Sequence, residues 1–242
     1  MKTLLKILAI FILGIFGGIF ADQILWPYFI EKPLFYQYRL EQSPVYVTEK
    51  KEVTITENIA LQNAIEKVEK TIIGVQTKTK TGKILAGSGL ILTSDGLIVT
   101  LADLVPQGGN SSFFVDGETA SFQILKRDLK ENLALIKIEK TNLPTVGFAN
   151  LEKLKLGERV FLVGMAQPPN GGWVASPGLV VNEGIVKSFD ENSIQTNIFE
   201  KIRLQGSPLF NIEGEVLGLN TIDSEGKIIT IPISKIKSFS GF

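Results

Sequence analysis

The stretch RLQGSPLFNIEGEVLGLNT, residues 203–221, decides the fold of this chain. It begins as a tight loop and continues as a short apolar strand, a turn at Glu213-Gly214 and a second apolar strand. Apolar runs bounded by Gly, Pro and Asn are typical of strands joined in a hairpin. The stretch therefore predicts a β-hairpin that the chain enters through a tight loop.

Short strands separated by turn residues fill the chain from Thr71 onward. Asp95-Gly96 is a strong hairpin signal, and Asp116-Gly117 is a second pair of the same kind. The pattern predicts strands at 71–77, 84–92, 97–101, 113–115, 120–125, 133–138, 160–164, 178–188, 193–198, 208–210, 216–222 and 227–231. Many short strands, few helices and no βαβ spacing predict a mainly β fold of two antiparallel barrels, followed by a short C-terminal helix at 233–239.

An apolar run near the N-terminus predicts a transmembrane helix. Lys2 and Lys6 flank its start, and the run is uninterrupted from Ile7 to Ala21. With the leucines before Lys6 it reaches about 18 residues, close to the ~20 that cross a bilayer. The lysines place the N-terminus in the cytoplasm and the remainder outside. A cleaved signal peptide and a buried hairpin are the alternatives, although Ile19 makes a poor cleavage site before Ala21.

The segment between this run and the strands is interpreted as a juxtamembrane stalk. Its aromatic residues are typical of an interfacial belt or of a packing surface, and they are Trp26, Tyr28, Phe29, Phe35, Tyr36 and Tyr38. A helix at 58–70 then places Leu61, Ile65 and Val68 on one face. The resulting domains are a signal anchor at 1–21, a stalk at 22–57, a first barrel at 58–145 and a second barrel at 146–242.

The residue counts exclude several classes of chemistry. The chain has no His and no Cys, and 25 basic side chains balance 25 acidic ones. Without His, no imidazole base is available, and zinc loses its commonest ligand. Without Cys, disulfides and thiolate nucleophiles are excluded. The balanced charge does not favour binding to nucleic acid. Gly87-Ser88-Gly89 lacks the third glycine and the following helix of a dinucleotide-binding fingerprint. The sequence therefore predicts no metal, no cofactor and no nucleic-acid partner.

Five stretches, in the right order, resemble the HtrA (Deg-type) branch of the trypsin-like serine proteases. GSGLILTSDGLIVT at 87–100 is similar to that branch's GSGFII-x-x-DGYILT, and DLKENLALIKI at 128–138 to its D-x-x-x-DLA-V-LKI. LKLGERVFLVG at 154–164 is similar to its entry to the second barrel, and residues 194–196 and 206–221 are similar to the end of its pattern. The resemblance covers roughly residues 60–240 and implies a trypsin-like double barrel.

The resemblance places the catalytic triad on residues that lack its chemistry. The family's His falls on Asp103, its Asp on Asn132 and its Ser on Gln205. The Gly two positions before the nucleophile falls on Arg203, so the oxyanion loop of Arg203, Gln205 and Gly206 is altered as well. Because a carboxylate is a weak base and an amide is not a nucleophile, no catalytic residue is expected.

Two interpretations of these remnants stay open. Asp103, Asn132 and Gln205 form a network that satisfies its own polar groups, which we favour over a role in reading a ligand. Ser207 is an outside candidate for a displaced nucleophile, with Lys201 as its base, because Ser-Lys proteases exist on other folds. A hydroxyl that caps its own turn is the simpler interpretation of Ser207.

The sequence thus predicts a membrane-anchored, HtrA-like pseudoprotease with its barrels outside the cytoplasm. Its expected partner is a protein or peptide held in the cleft between the barrels or along a sheet edge. An active serine endopeptidase with an unusual nucleophile and a structural component of the cell envelope are the alternatives.

Overall fold

The structure is a computed structural model that describes residues 2–31, 57–166, 178–199, 204–222, 225 and 227–242. The chain divides into two compact units, residues 1–53 and residues 54–242. The second unit contains both β-sheets, so the two predicted barrels form one compact body.

The N-terminal unit contains the predicted apolar helix. Helix α1 spans Lys2–Phe20 and continues as a wider-turned helical segment, Ala21–Glu31. The stretch Lys2–Phe29 is long and apolar enough to cross a membrane, a property that signal sequences share. The helix passes the predicted end at Ala21 because a single Asp does not stop a helix and apolar residues resume at Ile24. Trp26, Tyr28 and Phe29 lie on this extension, whereas Phe35, Tyr36 and Tyr38 lie outside the described residues.

The second unit begins with helix α2, Glu57–Val68. The predicted face of this helix packs into the core, since Val68 is fully buried and Leu61 and Ile65 are partly buried against the same cluster. Lys67 on the neighbouring face donates a hydrogen bond from Nζ to the Glu213 carbonyl over 2.8 Å. Helix α2 therefore holds the turn of the hairpin at 208–222.

The first sheet has seven antiparallel strands in the order β5-β4-β1-β2-β3-β7-β6. They are β1 Ile72–Lys78, β2 Ile84–Ile91, β3 Leu97–Leu101, β4 Asn110–Val115, β5 Glu118–Ala120, β6 Phe122–Asp128 and β7 Leu133–Ile138. The edge strands β5 and β6 are joined by Ser121 alone, so the sheet curls until its two edges meet at that residue. The single strand predicted at 120–125 is thus divided in two by this corner.

The second sheet is a closed barrel in the order β10-β13-β12-β11-β8-β9. Its strands are β8 Arg159–Ala166, β9 Gly178–Phe189, β10 Ile194–Phe199, β11 Pro208–Asn211, β12 Val216–Ile222 and β13 Lys227–Pro232, and helix α3 follows at Ile233–Ser240. Strands β11 and β12 are the hairpin predicted from residues 203–221, and they pair antiparallel with Pro208 opposite Leu219. The predicted mainly β, trypsin-like fold is confirmed.

Two apolar cores hold the second unit together. One fills the curled sheet and extends to the outer face of the barrel, where the rings of Phe161 and Phe210 stack with centroids 5.4 Å apart. The other fills the barrel interior around Leu162, Leu204 and Leu217. Successive side chains of a strand point to opposite faces, so β8 contributes Phe161 to the first core and Leu162 to the second. This strand therefore packs against both the curled sheet and the barrel interior.

Candidate functional site

The register of the first sheet brings Asp103 and Asn132 together. Leu101, at the end of β3, lies opposite Leu133, at the start of β7. Asp103 follows in a short 3-10 turn, Ala102–Leu104, and Asn132 immediately precedes β7. Residues just beyond paired strand ends are neighbours, so Asp103 and Asn132 lie next to each other.

Asp103 and Asn132 form a reciprocal pair of hydrogen bonds. The backbone N–H of Asp103 donates to Asn132 Oδ1 over 3.0 Å, and Asn132 Nδ2 donates to Asp103 Oδ2 over 3.0 Å. The side chain of Asp103 is exposed and that of Asn132 is half-buried. Two of the three residues predicted to form a network are therefore paired, although the pair lies at the surface.

Local turn structure fixes the orientation of Asn132. Its φ is 52°, a left-handed conformation that Asn tolerates better than most residues, and its carbonyl accepts the Ala102 N–H over 3.2 Å. Earlier in the same turn Asp128 accepts the N–H groups of Glu131 and Lys130. These bonds, that from Glu131 above all, lower the pKa of Asp128 below its ordinary value. The turn thus presents the amide of Asn132 in a defined position.

Gln205 lies on a loop that is anchored through its backbone. The Ser88 N–H donates to the Gln205 carbonyl over 2.8 Å, and the Gly206 N–H donates to the Asn220 carbonyl over 2.8 Å. Gly206 has a φ of 73°, and a Cβ there would collide with the Ser88 carbonyl and lie against Leu104. The loop of Gln205 therefore packs against Leu104, the residue that follows Asp103.

The Gln205 side chain does not join the Asp103–Asn132 pair. It is half-buried, and its amide makes no hydrogen bond within the part of the chain that the structure describes. The predicted network thus forms between two of its three residues, Asp103 and Asn132.

Ser207 points away from the surface. Its side chain is fully buried, and its Oγ donates to Ser88 Oγ over 3.4 Å. Ser88 Oγ also accepts the Met165 N–H over 2.8 Å, and a Cβ on Gly164 would collide with Ser207 Oγ. The Ser207 hydroxyl therefore lies at the contact between sheet and barrel. Its suggested base Lys201, and Arg203 of the oxyanion loop, lie outside the described residues.

A cavity of about 410 Å³ lies elsewhere on the barrel, between the segment 148–158 and the β11–β12 hairpin. Its floor includes Phe148 and Leu217, and charged side chains of both signs, such as Lys155 and Glu213, form its rim. None of the residues that line it is a triad position. Sequence reasoning missed this cavity, since its residues come from two segments without any shared pattern.

The region from residue 87 to residue 219, more than half of the 242-residue chain, matches the model of the trypsin-like peptidase domain family. The chain belongs to this family, in agreement with the curled sheet and the closed barrel.

Its curated relatives are HtrA and DegP-like serine proteases. Serine protease HTRA1 of Xenopus laevis is 34% identical over 161 residues, which cover 64% of this chain and 35% of the relative. A probable periplasmic serine endoprotease DegP-like of Halomonas elongata is 31% identical over 140 residues, 56% of this chain and 29% of the relative. Serine protease HTRA1A of Danio rerio is 28% identical over 192 residues, which cover 74% of this chain and 40% of the relative. The molecule is thus an HtrA-like peptidase domain with an N-terminal apolar helix, and it spans about a third of the length of these relatives.

Proposed function

We propose that this chain is a membrane-anchored member of the family that does not cleave peptide bonds and instead binds an extended protein or peptide segment outside the cytoplasm. The observation that carries the proposal is the Asp103–Asn132 pair, which occupies the positions of the family's His and Asp with a closed pair of hydrogen bonds.

The chemistry of this pair does not support serine-protease catalysis. In the triad an imidazole takes the proton of the nucleophile, and a carboxylate orients that imidazole. Here a carboxylate stands at the base position, an amide stands at the orienting position, and the chain has no His. Gln205 at the nucleophile position has no hydroxyl to deprotonate. Loss of the triad lowers kcat by a factor on the order of 10⁶ in subtilisin, a serine protease of another fold with the same triad.

The surroundings of Ser207 support inactivity as well. A nucleophile must reach the substrate carbonyl and a base at hydrogen-bond distance. The Ser207 hydroxyl is buried between sheet and barrel, and its hydrogen-bond partner among the described residues is another hydroxyl, that of Ser88. Both facts disfavour the alternative of a displaced nucleophile.

Binding without cleavage follows from what the fold keeps. Asp103 is exposed and Gln205 is half-buried, and the loop of Gln205 lies where sheet and barrel meet. An extended peptide can bind such a region through main-chain hydrogen bonds. The location outside the cytoplasm is supported by the apolar helix with Lys2 and Lys6 at its start and by the DegP-like relatives that are named periplasmic.

The proposal is tested with the full chain purified in detergent. Incubation with a fluorophosphonate probe should leave the chain unlabelled, and incubation with casein should yield no fragments, while an active HTRA1 relative gives both signals in parallel. Probe labelling that disappears in Ser207→Ala would identify a displaced nucleophile and overturn the proposal. Casein cleavage that persists in that variant would overturn it too.

A further inference from the structure

We propose that the cavity between the segment 148–158 and the β11–β12 hairpin binds short apolar zwitterions, that is, free amino acids or peptides of two to three apolar residues, and holds them by both charged ends. This inference goes beyond the proposed function, because none of the residues that line the cavity is a triad position. Its volume of about 410 Å³ lies within the range of about 300–1,000 Å³ that is usual for small-ligand sites.

The first observation is that the two walls of this cavity carry opposite charges. The basic wall contributes the exposed side chains of Lys153 and Lys155, together with Glu158. The acidic wall is the hairpin, which contributes Glu213 and Glu215 and no cation to the described lining. None of the ion pairs found among the described residues joins the two walls. Cations on one side and carboxylates on the other are therefore available to a ligand with two charged ends.

The second observation is that the acidic wall is ordered before a ligand arrives. Asn211 is buried, its Nδ2 donates to Glu215 Oε2 over 3.0 Å, and its Oδ1 accepts the Glu215 N–H over 2.8 Å. Lys67 donates to the Glu213 carbonyl rather than to its carboxylate, so it anchors the turn and leaves that charge unpaired. A carboxylate whose rotamer is fixed in advance loses little entropy when it binds a cation.

The backbone of the basic wall is ordered in the same way. Glu158 Oε2 accepts the Lys155 N–H over 3.1 Å, and Asn150 Oδ1 accepts the Glu152 N–H over 3.0 Å. The ammonium groups of Lys153 and Lys155 form no hydrogen bond or ion pair within the described part of the chain. With two lysines and one glutamate, this wall keeps a net positive charge opposite the two glutamates of the hairpin.

The third observation is an apolar floor between the charged walls. Ala149, Leu154 and Leu217 line the cavity, are buried and belong to the core of the barrel. The Phe148 ring also lines it, and Lys237 Nζ lies 5.1 Å from the centroid of that ring. Opposite charges on two walls with an apolar floor between them match a zwitterion that has apolar side chains. A neutral sugar or a simple ion fits less well, because neither has two opposite charges.

The test uses the full chain in a nonionic maltoside detergent and isothermal titration calorimetry. Leucine, Leu-Leu and Leu-Leu-Leu with free ends are titrated first, and the tightest of the three is then compared with its N-acetyl and C-amide forms. We expect each modification to weaken binding about fivefold to tenfold, because it removes one charged hydrogen-bonding group. The glycine ligand of the same length should bind at least about tenfold more weakly than the leucine ligand, because it lacks the apolar side chains.

Matched variants assign each end of the ligand to its wall. Glu213→Gln combined with Glu215→Gln keeps the size of both side chains, and it should make the free and N-acetyl ligands bind equally. Lys153→Met combined with Lys155→Met keeps the length of the side chains, and it should remove the difference between the free and C-amide ligands.

Two control variants, Asp116→Asn and Lys83→Met, remove exposed charges from connections between strands that do not line the cavity, and they should leave both differences unchanged. Equal binding of free and modified ligands, differences that survive the cavity variants, or no measurable binding of the three leucine ligands would overturn the assignment. Tighter binding of N-acetylglucosamine than of every leucine ligand would overturn it in favour of a sugar. The proposed function stands apart from these outcomes, because it is tested by probe labelling and casein cleavage.

Discussion

At the scale of single residues, Gly206 is more constrained than its neighbour Gln205 or the nearby Asp103. Asp103 is exposed and Gln205 is half-buried, so a change of side chain there meets little resistance. Gly206 combines a φ of 73° with backbone contact to Ser88, so it admits no side chain at all. The side chain at 205 can vary while the loop keeps its shape, because Gly206 and its contact with Ser88 determine the path of the backbone.

Replacement of Gly206 by Ala should therefore destabilise the second unit strongly. Gly157→Ala is the matched control, because Gly157 also has a positive φ, 79°, but has open space around it. The left-handed conformation alone costs about 1–2 kcal/mol, and overpacking adds about 1–3 kcal/mol at Gly206. Thermal unfolding followed by circular dichroism should show a clearly larger loss of Tm for Gly206→Ala. Equal losses in the two variants would show that the Ser88 contact adds nothing.

Part of the site could be predicted from residue identities, and part could not. The sequence predicted a network of Asp103, Asn132 and Gln205, and the structure pairs the first two through hydrogen bonds. The sequence did not predict that Ser207 turns inward, because that orientation depends on Gly164 and Ser88, which belong to strands distant in sequence. A contact between two strands and a loop that are distant in sequence leaves no local pattern in the chain.

At the scale of elements, turn chemistry determined where the strands were found. Asp-Gly pairs and apolar runs located nearly every strand of the two sheets, since the turn residues have specific backbone requirements. The division between β5 and β6 at Ser121 was missed, because a corner in a continuous β-rich run carries no Gly or Pro signal. The extension of the N-terminal helix through Pro27 was missed because the sequence carries a misleading signal there, since Pro and Asp normally suggest a helix end.

Three turns with acidic residues should set the acid sensitivity of the fold. The pKa of Asp95 is lowered by the hydrogen bond from Lys137, and those of Asp128 and Asp190 by backbone N–H groups, led by Glu131 and Asn192 respectively. Since the folded-state pKa values lie below the ordinary value of about 3.9, the unfolded chain binds more protons near pH 4. The stabilisation is therefore present above about pH 4 and is lost as the pH falls further.

Thermal unfolding between pH 2.5 and pH 8 tests this expectation. The Tm should be nearly constant from about pH 5 to pH 8, because the chain has no His to titrate in that range. At pH values below about 4 the Tm should decrease. Asp190→Asn should melt below the wild type at pH 7 and converge with it in acid. A variant that keeps the same difference at every pH would contradict a role for the Asp190 charge.

At the scale of the whole molecule, the apolar helix and the β unit are separate bodies, and their topology can be measured directly. The chain has no Cys, so one introduced thiol is a unique reporter. With the helix as an uncleaved anchor, Lys83→Cys in the β1–β2 turn should react with a membrane-impermeant maleimide on intact cells. Thr3→Cys should react only after permeabilisation. Labelling of Thr3→Cys on intact cells would show that the orientation is the opposite of the one proposed. Recovery of the β unit in the soluble fraction would indicate cleavage.

The contact between Ser88 and the loop at 204–207 has a consequence for biosynthesis. Ser88 and Ser207 lie 119 positions apart in the chain. At synthesis rates of about 5–20 residues per second, the ribosome needs about 6–24 s to extend the chain from one to the other. During that interval β2 has its neighbours in the first sheet but not its partner in the loop. The packing of β2 against the barrel is therefore incomplete until the ribosome has synthesised the loop at 204–207.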